Sequence, residues 1–236
     1  EIYPGGVTVL KDGSLNIAVP ISGSKCGIIF YGKDKEQKVI FDSSFRIGKL
    51  YCVHIEGIDI LEYTKYRLFE DNRMFVDSYA KCVLGNEEYG SIPDALYGSF
   101  YVDDFDWSDD VSLQIPYNKS IIYQLHVRGF TKHKSSNIKN KGTFEGLVEK
   151  IPYLKELGVT ALELLPAYEF LEKEKKFMEN SNPMMSYQEE EPVLNYWGYK
   201  QGYYFAPKQS YAADRNPIHS FKSMVKELHK NGMEVI

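Results

Sequence analysis

The sequence has few cysteines, and their spacing is not that of metal ligands or a redox pair. The three cysteines, Cys26, Cys52 and Cys82, form no CxxC pair, and no His, Cys and Asp cluster has zinc spacing. We therefore predict reduced thiols, no metal site and no cofactor. Because reduced thiols favour a reducing compartment, we also predict a cytoplasmic location.

The sequence also lacks an excess of positive charge, a long apolar run and a phosphate-binding glycine loop. Its net charge of -5 gives no basic face for a nucleic acid, so we predict no nucleic-acid partner. No apolar run approaches the roughly 20 residues of a membrane span, so we predict no membrane partner. Neither GxGxxG nor GxSxG occurs, which removes the common signatures of dinucleotide binding and of serine hydrolases.

Residues 1–84 contain short strand patterns separated by Gly, Asp and Ser. In Gly13–Ile21, apolar residues alternate with polar ones, and four further short apolar segments follow at close intervals: Cys26–Gly32, Lys38–Asp42, Leu50–Gly57 and Thr64–Asp71. Short strands with turn signals at this spacing predict an antiparallel β-sandwich. This part contains no tryptophan, and we expect it to have a packing role.

Residues 85–117 have little periodicity and many turn residues, and we interpret them as a joint between two domains. Their acidic cluster comprises Asp103, Asp104, Asp106, Asp109 and Asp110. Its spacing does not match a calcium loop, which favours a solvated acidic linker. We expect Trp107 to pack between the two domains.

Residues 118–236 alternate between strand and helix patterns. Buried-type strands are predicted at Ser120–Phe130, Val159–Pro166 and Met233–Ile236, with helices at Thr143–Gly158 and Pro217–Gly232. Pro152 is expected to kink or divide the first helix. This order predicts parallel βα units, which a parallel barrel and a doubly wound sheet would both satisfy. A chain that ends inside its third strand is expected to be the front part of a longer protein.

The stretch Val193–Tyr211 is unusually aromatic and is interrupted by Gly198, Gly202 and Pro207. So many Gly and Pro residues predict an irregular loop rather than a helix or strand. One interpretation is a surface that stacks against sugar rings, and the other is a plug for one end of a core. A charged segment, residues 167–193, precedes and overlaps it and is long for a connection.

Four sequence motifs, YQLHVRGF, GTFEGLVEKIPYLKELGVTALELLP, NYWGY and FKSMVKELHKNGMEVI, resemble those of the α-amylase superfamily of glycoside hydrolases. The resemblance is closest to its debranching branch, which comprises isoamylase, glycogen debranching enzyme and type I pullulanase. The order and spacing of the motifs also match those of this branch. YPGGVTVLKDGSLNIAVPI and FVDSYAKCVLG resemble the module that precedes the barrel in this branch, and FDW at Phe105–Trp107 also matches the branch. Two departures are Gln124, where the first strand commonly has Glu, and NYWGYKQG, which lacks the Asp-Pro of pullulanases.

The resemblance implies a carbohydrate-binding-module-48-like sandwich (1–84), an inter-domain joint (85–117) and the first part of a (β/α)8 TIM barrel (118–236), incomplete in this chain. It implies retaining hydrolysis of α-1,6 branch linkages in glycogen, branched maltodextrin or pullulan, with a cytoplasmic glycogen-turnover role. The catalytic carboxylates of the family follow later barrel strands, so we assign no catalytic residue. The alternatives are an α-1,4-acting amylase or branching enzyme, and a non-catalytic glucan-binding fragment.

The resemblance assigns substrate binding to Tyr196 and Trp197, because the tyrosine of the NYWGY motif stacks under the sugar at the cleavage point. His126 and Arg128 end the first predicted strand, and we interpret His126 as a structural group rather than a catalyst. Glu163 lies inside the second predicted strand, and we interpret it as a structural partner of a neighbouring side chain.

Overall fold

The computed structural model describes residues 3–173 and 192–236, so most of the predicted long charged connection lies outside the described residues. In the first part of the chain the strands are β1 (Gly6–Val9), β2 (Leu15–Pro20), β3 (Cys26–Tyr31), β4 (Glu36–Ile40), β5 (Arg46–Ile47), β6 (Leu50–Ile55), β7 (Lys65–Glu70), β8 (Arg73–Phe75), β9 (Val83–Leu84) and β10 (Tyr97–Ser99). They form two antiparallel sheets, one in the order β1-β2-β6-β5 and one in the order β4-β3-β7-β10-β9, with β8 paired to β7. The predicted antiparallel arrangement is confirmed.

The two antiparallel sheets share one apolar core, because alternate residues of each strand point to the same side. Leu15, Ile17 and Val19 of β2 are fully buried, as their alternation predicted. Ile28 and Phe30 of β3 and Leu68 of β7 are buried in the same cluster, together with Tyr51, Val53, Ile55 and Tyr66. Burial of apolar surface from both sheets therefore holds this part of the chain together.

The five longer predicted strands correspond to β2, β3, β4, β6 and β7, whereas several short strands were not predicted. The predicted joint contains β10, which pairs with both β7 and β9. A strand of three residues is too short to show an alternating pattern, and its backbone pairing is decided by the neighbouring strand. The second antiparallel sheet consequently extends to Ser99.

The second part of the chain contains a parallel sheet of β11 (Ile122–Leu125), β12 (Ala161–Leu164) and β15 (Glu234–Val235), in that order. Tyr123 pairs with Leu162, and Leu162 pairs with Val235, in parallel register. The prediction of parallel βα units is therefore confirmed. The helices are α1 (Val127–Thr131), α2 (Phe144–Glu149), α3 (Ile151–Glu156) and α4 (Pro217–Lys230).

The first strand of this part is shorter than predicted. The strand prediction for Ser120–Phe130 is wrong beyond Leu125, because the His126 side chain accepts a hydrogen bond from the Gly129 N–H and thereby begins α1. The predicted helix over Thr143–Gly158 is confirmed, and it is divided at Lys150, two residues before Pro152. Proline lacks the N–H that a continuous helix would use there.

A hairpin of β13 (Tyr168–Phe170) and β14 (Gly202–Pro207) follows β12. The prediction that Val193–Tyr211 lacks regular structure is therefore wrong over Gly202–Pro207. The glycine permits pairing here, because a Cβ at Gly202 would lie 2.7 Å from the carbonyl oxygen of Glu169 on the partner strand. Gly202 and Pro207 thus bound the strand instead of interrupting it.

The joint segment contacts α4 through Lys222. The Lys222 Nζ lies 2.7 Å from Asp103 Oδ1 and 5.8 Å from the ring centroid of Trp107. Trp107 stays 37% exposed and packs edge-on against Phe105. Among the described helices, none is long and apolar enough to cross a membrane.

Candidate functional site

The carboxyl ends of β11 and β12 carry the candidate site. His126 directly follows β11, and the β13–β14 hairpin follows β12. Because β11 and β12 are parallel, their carboxyl ends lie at the same edge of the sheet. Active sites of parallel α/β folds form at this edge, from the segments that follow the strands.

A tight turn at Asn195–Gly198 presents Tyr196 and Trp197 at this edge. The Asn195 Oδ1 accepts a hydrogen bond from the Gly198 N–H at 3.2 Å, and the Asn195 N–H donates to the Glu172 carbonyl at 2.7 Å. Gly198 has φ of +78°, and a Cβ there would lie 2.5 Å from the Phe170 ring. A side chain is therefore excluded both by backbone conformation and by space.

The imidazole of His126 lies flat against the Tyr196 ring. Their centroids are 4.4 Å apart and their planes are 10° from parallel. His126 Nδ1 accepts from the Gly129 N–H at 2.9 Å, so the neutral ring carries its proton on Nε2, which lies 2.9 Å from the Tyr196 carbonyl oxygen. Burial lowers the pKa of His126 and favours this neutral form. Both nitrogens are thus hydrogen-bonded within the protein, as the interpretation of His126 as a structural group expects.

Trp197 completes an aromatic corner with Tyr196. The two rings are nearly perpendicular, at 88°, with centroids 5.1 Å apart. Trp197 is 56% exposed, whereas Tyr196 is half-buried between solvent and His126. We use the name aromatic corner for Tyr196 and Trp197 with His126 behind them. The structure therefore brings together the two residues that the sequence predicted, and it places a third ring under the first.

Space around the Tyr196 hydroxyl is limited by α1. A Cβ added to Gly129 would lie 2.4 Å from the Tyr196 hydroxyl oxygen, and the next nearest atoms, both of His126, would be at 3.5 and 3.6 Å. The hydroxyl thus occupies the place where Gly129 has no side chain. Gly129 is a site residue that the sequence analysis missed, because a helical glycine carries no sign of the ring packed against it.

Arg128 and Glu163, which the sequence analysis considered, and Tyr199 and Phe205 of the aromatic stretch have other surroundings. The Arg128 guanidinium lies 3.9 Å from the centroid of the Tyr89 ring. Glu163 Oε1 accepts from Gln124 Nε2 at 3.0 Å, so the predicted structural pairing of Glu163 is confirmed. Tyr199 is 68% exposed, and Phe205 stacks on a ring of the first part of the chain, that of Tyr79.

A buried ionic cluster lies beneath the hairpin, and the sequence analysis did not predict it. We define the cluster as Asn86, Glu169, Glu172, Lys208 and Gln209. The Lys208 Nζ lies 2.9 Å from Glu169 Oε1 and 2.8 Å from Glu172 Oε1, and all three side chains are essentially inaccessible to solvent. Burial raises the pKa of Glu169, and the Lys208 ammonium opposes this rise. Glu169 and Glu172 precede Lys208 by 36 residues or more in the sequence. No local pattern therefore predicts that these three side chains meet.

Two phenols, the buried Tyr211 and the half-buried Tyr89, stack on each other behind His126. Tyr211 is fully buried and its hydroxyl lies 3.3 Å from His126 Nε2. Burial raises the pKa of Tyr211, and it raises the pKa of Tyr89 to about 12, so both phenols stay neutral at physiological pH. Both phenols are neutral, and the Arg128 guanidinium over the Tyr89 ring supplies a positive charge on this side.

Within residues 3–173 and 192–236, no group of three or more His, Cys, Asp or Glu side chains is arranged to hold a metal ion. Two members of the predicted acidic linker contact α4 instead: Asp103 forms an ion pair with Lys222 at 2.7 Å, and Asp110 Oδ1 lies 2.8 Å from His229 Nδ1. The aromatic corner offers ring faces and an edge, and both His126 nitrogens are already hydrogen-bonded within the protein. Its chemistry is therefore positioning of a flat, partly apolar ligand.

Comparisons with known proteins identify the family and several relatives of this chain. The family model for the α-amylase catalytic domain matches residues 124–236. The chloroplastic isoamylase 1 of Oryza sativa subsp. japonica is 35% identical over 267 residues, covering 99% of this chain and 32% of the relative. A glycogen operon protein GlgX homolog of Haemophilus influenzae is 35% identical over 185 residues, covering 70% of this chain and 26% of the relative. The chain thus spans about a third or less of the length of these relatives.

Among solved structures, a type I pullulanase from Bacillus subtilis in complex with maltose superimposes with a TM-score of 0.72. The alignment covers 100% of this chain and 32% of the pullulanase, at 24% sequence identity. At that identity the likeness concerns the fold, which is the amylase type with antiparallel sheets preceding a parallel one.

Proposed function

We propose that this chain, which belongs to the α-amylase superfamily and to its debranching branch, is part of a glycoside hydrolase that cleaves α-1,6-glucosidic branch linkages. The substrate class is a branched α-glucan: glycogen, branched maltodextrin or pullulan. The observation that supports this proposal most strongly is the 35% identity to an isoamylase along 99% of this chain. The aromatic corner lies in the NYWGY motif of this chain. We infer that this enzyme acts in glycogen turnover in the cytoplasm.

The fold that we propose consists of a β-sandwich like carbohydrate-binding module 48 and the first part of a (β/α)8 barrel. The shared core of the two antiparallel sheets supports the sandwich. The parallel order β11-β12-β15 with intervening helices supports the barrel. We keep the predicted divisions at 1–84, 85–117 and 118–236, and note that the strand pairing of Tyr97–Ser99 associates it with the sandwich.

In this proposal Tyr196 holds the sugar at the cleavage point by stacking. His126 covers one face of the Tyr196 ring, so a sugar stacks on the opposite face, and Trp197 stands perpendicular beside it. Stacking would hold the ring while its anomeric carbon acquires oxocarbenium character. The nucleophile and acid of a retaining mechanism, two carboxyl groups roughly 5–5.5 Å apart, would come from later strands of the same barrel.

The test of the activity uses the full-length enzyme that contains this chain. We expect it to release reducing ends from pullulan and to leave linear amylose intact. Hydrolysis of amylose without hydrolysis of pullulan would favour an α-1,4-acting amylase. Transfer of amylose segments into branches without new reducing ends would favour a branching enzyme, and glucan binding without turnover would favour a binding protein. Any of these results would overturn the proposed function.

Tyr196→Ala in the same enzyme tests whether the aromatic corner binds the sugar. Losing the stacking surface should lower kcat/KM on pullulan by about 10²-fold, because misplacement by about 1 Å costs that much. The Tm should fall little, since Tyr196 is only half-buried. Tyr117→Ala is the matched control, because Tyr117 is 99% exposed. An unchanged kcat/KM in Tyr196→Ala would remove Tyr196 from the substrate-binding role.

A further inference from the structure

Lys208 is the centre of the buried ionic cluster. Its ammonium lies 2.9 Å from Glu169 Oε1, 2.8 Å from Glu172 Oε1 and 2.8 Å from the Phe170 carbonyl oxygen. An ammonium has three N–H donors, so the three oxygens match its donors in number. All of these contacts are made to β13 or to residues just after it.

The cluster ties three distant segments of the chain together. Asn86, which follows β9, donates from Nδ2 to Glu169 Oε1 at 2.7 Å and from its backbone N–H to Gln209 Oε1 at 3.0 Å. The Gln209 backbone N–H donates in turn to Glu169 Oε2 at 2.7 Å. The segment between β9 and β10, the β13 strand and the segment after β14 therefore share one polar core.

The same strand end supports the turn that presents Tyr196. The Glu172 carbonyl accepts from the Asn195 N–H at 2.7 Å, and the Gly198 backbone lies against the Phe170 ring. Lys208 Nζ lies 4.1 Å from the centroid of that same Phe170 ring. Lys208 thus contacts both residues on which the turn rests, one through its carboxylate and one through its ring and carbonyl.

Stability alone is a poor reason for this arrangement. Burying an ammonium with two carboxylates removes three charges from water, and well-packed apolar residues of similar volume often replace buried ion pairs without loss of stability. Polar contacts with fixed directions, in contrast, hold the strand end in one place and orientation. The cluster is therefore better explained by a need to fix the position and orientation of the end of β13.

We propose that Lys208 is a positioning residue for the aromatic corner, acting through Phe170 and Glu172 on the turn that carries Tyr196. The inference rests on the proposed function, because the position of the aromatic corner matters only where a glucan binds. A second reading is that the cluster merely keeps the hairpin folded. The two readings differ in one respect: a positioning residue loses its effect when Tyr196 is already absent.

The experiment is a double-mutant cycle in the full-length enzyme, with Lys208→Met, Tyr196→Ala and the combined variant. We expect each single change to lower kcat/KM on pullulan by at least about tenfold, since small displacements at a reacting centre have large effects. We expect the combined variant to match Tyr196→Ala. Lys222→Met, which removes an ammonium paired with Asp103 outside the cluster, should keep the wild-type value. Two effects that multiply in the combined variant would overturn the proposal, as would unchanged kinetics of folded Lys208→Met.

Lys208→Met leaves two buried carboxylates without a counter-ion, so a milder variant keeps the test decisive. Glu172→Gln retains the side-chain size and leaves the ammonium paired with Glu169, and the same cycle with Tyr196→Ala applies. Activity of the wild-type enzyme on pullulan tests the proposed function separately. The cycle is run on whichever glucan the wild type hydrolyses, or on its affinity for maltotetraose if it hydrolyses none. Non-additivity supports the positioning role in every case, and additivity overturns it.

Discussion

Gly129→Ala is the substitution whose outcome the structure constrains most closely. In an ordinary helix this change stabilises, because alanine has a higher helix propensity than glycine by about 1 kcal/mol. Here the new Cβ would lie 2.4 Å from the Tyr196 hydroxyl oxygen, whereas ordinary contact begins at 3.4 Å. The Tyr196 ring or the α1 backbone must therefore move by about 1 Å.

The size of the effect follows from these two opposing contributions. Overpacking a well-filled site costs about 1–3 kcal/mol, so the net change in the free energy of unfolding should be a loss of about 0–2 kcal/mol. The loss in rate should be larger, because a shift of about 1 Å in a positioning group lowers kcat/KM by about 10²-fold. The activity on pullulan should thus fall far more than the Tm.

A second substitution provides the control for this prediction. Tyr196→Phe removes only the clashing oxygen, after which the nearest atoms to the new Cβ are those of His126 at 3.5 and 3.6 Å. Gly129→Ala combined with Tyr196→Phe should therefore recover most of the kcat/KM of Tyr196→Phe alone. The measurements are pullulan kinetics and thermal unfolding of the four enzymes. If Gly129→Ala raises the Tm and keeps full activity, Tyr196 does not lie against α1 as described.

Two further predictions concern titration and reactivity. Because burial lowers the pKa of His126, the unfolded state takes up a proton first as the pH falls through about 6.5, so stability should decline on acidification below that value. His126→Asn, which retains a capping oxygen for the Gly129 N–H, should show a smaller decline in Tm between pH 7 and 5, and parallel declines would contradict the assignment. Burial raises the pKa of Cys82 to about 11, so iodoacetamide at about pH 8 should label this thiol much more slowly in the native protein than after unfolding. Peptide mass spectrometry measures both rates, and equal rates would contradict the partial burial of Cys82.

Much of the secondary structure could be predicted because it depends on local patterns. The alternation of Leu15, Ile17 and Val19 predicted a strand with one buried face, and the helical spacing over Pro217–Gly232 predicted α4. The candidate site was reached through the NYWGY motif, which located Tyr196 and Trp197. These features are encoded in neighbouring residues, so a single sequence reveals them.

The errors occurred where hydrogen bonding overrode the local apolar pattern. The strand predicted through Phe130 stops at Leu125, because the His126 side chain caps a helix by accepting from the Gly129 N–H, three residues away. Residues Gly202–Pro207 form a strand because β13 supplies the hydrogen-bonding partner. Local composition favoured the opposite result in both places.

The sequence by itself determined the order of antiparallel strands and βα units, the family, and the two aromatic residues proposed to contact the glucan. Only the tertiary structure decided what stands behind those rings: the neutral His126 under Tyr196, the vacant side-chain position at Gly129, and the ammonium of Lys208 between two carboxylates. The physical reason is distance along the chain. Propensity and periodicity act over a few residues, whereas a stacked ring, a steric limit and a buried ion pair exist only after folding joins segments that the sequence keeps far apart.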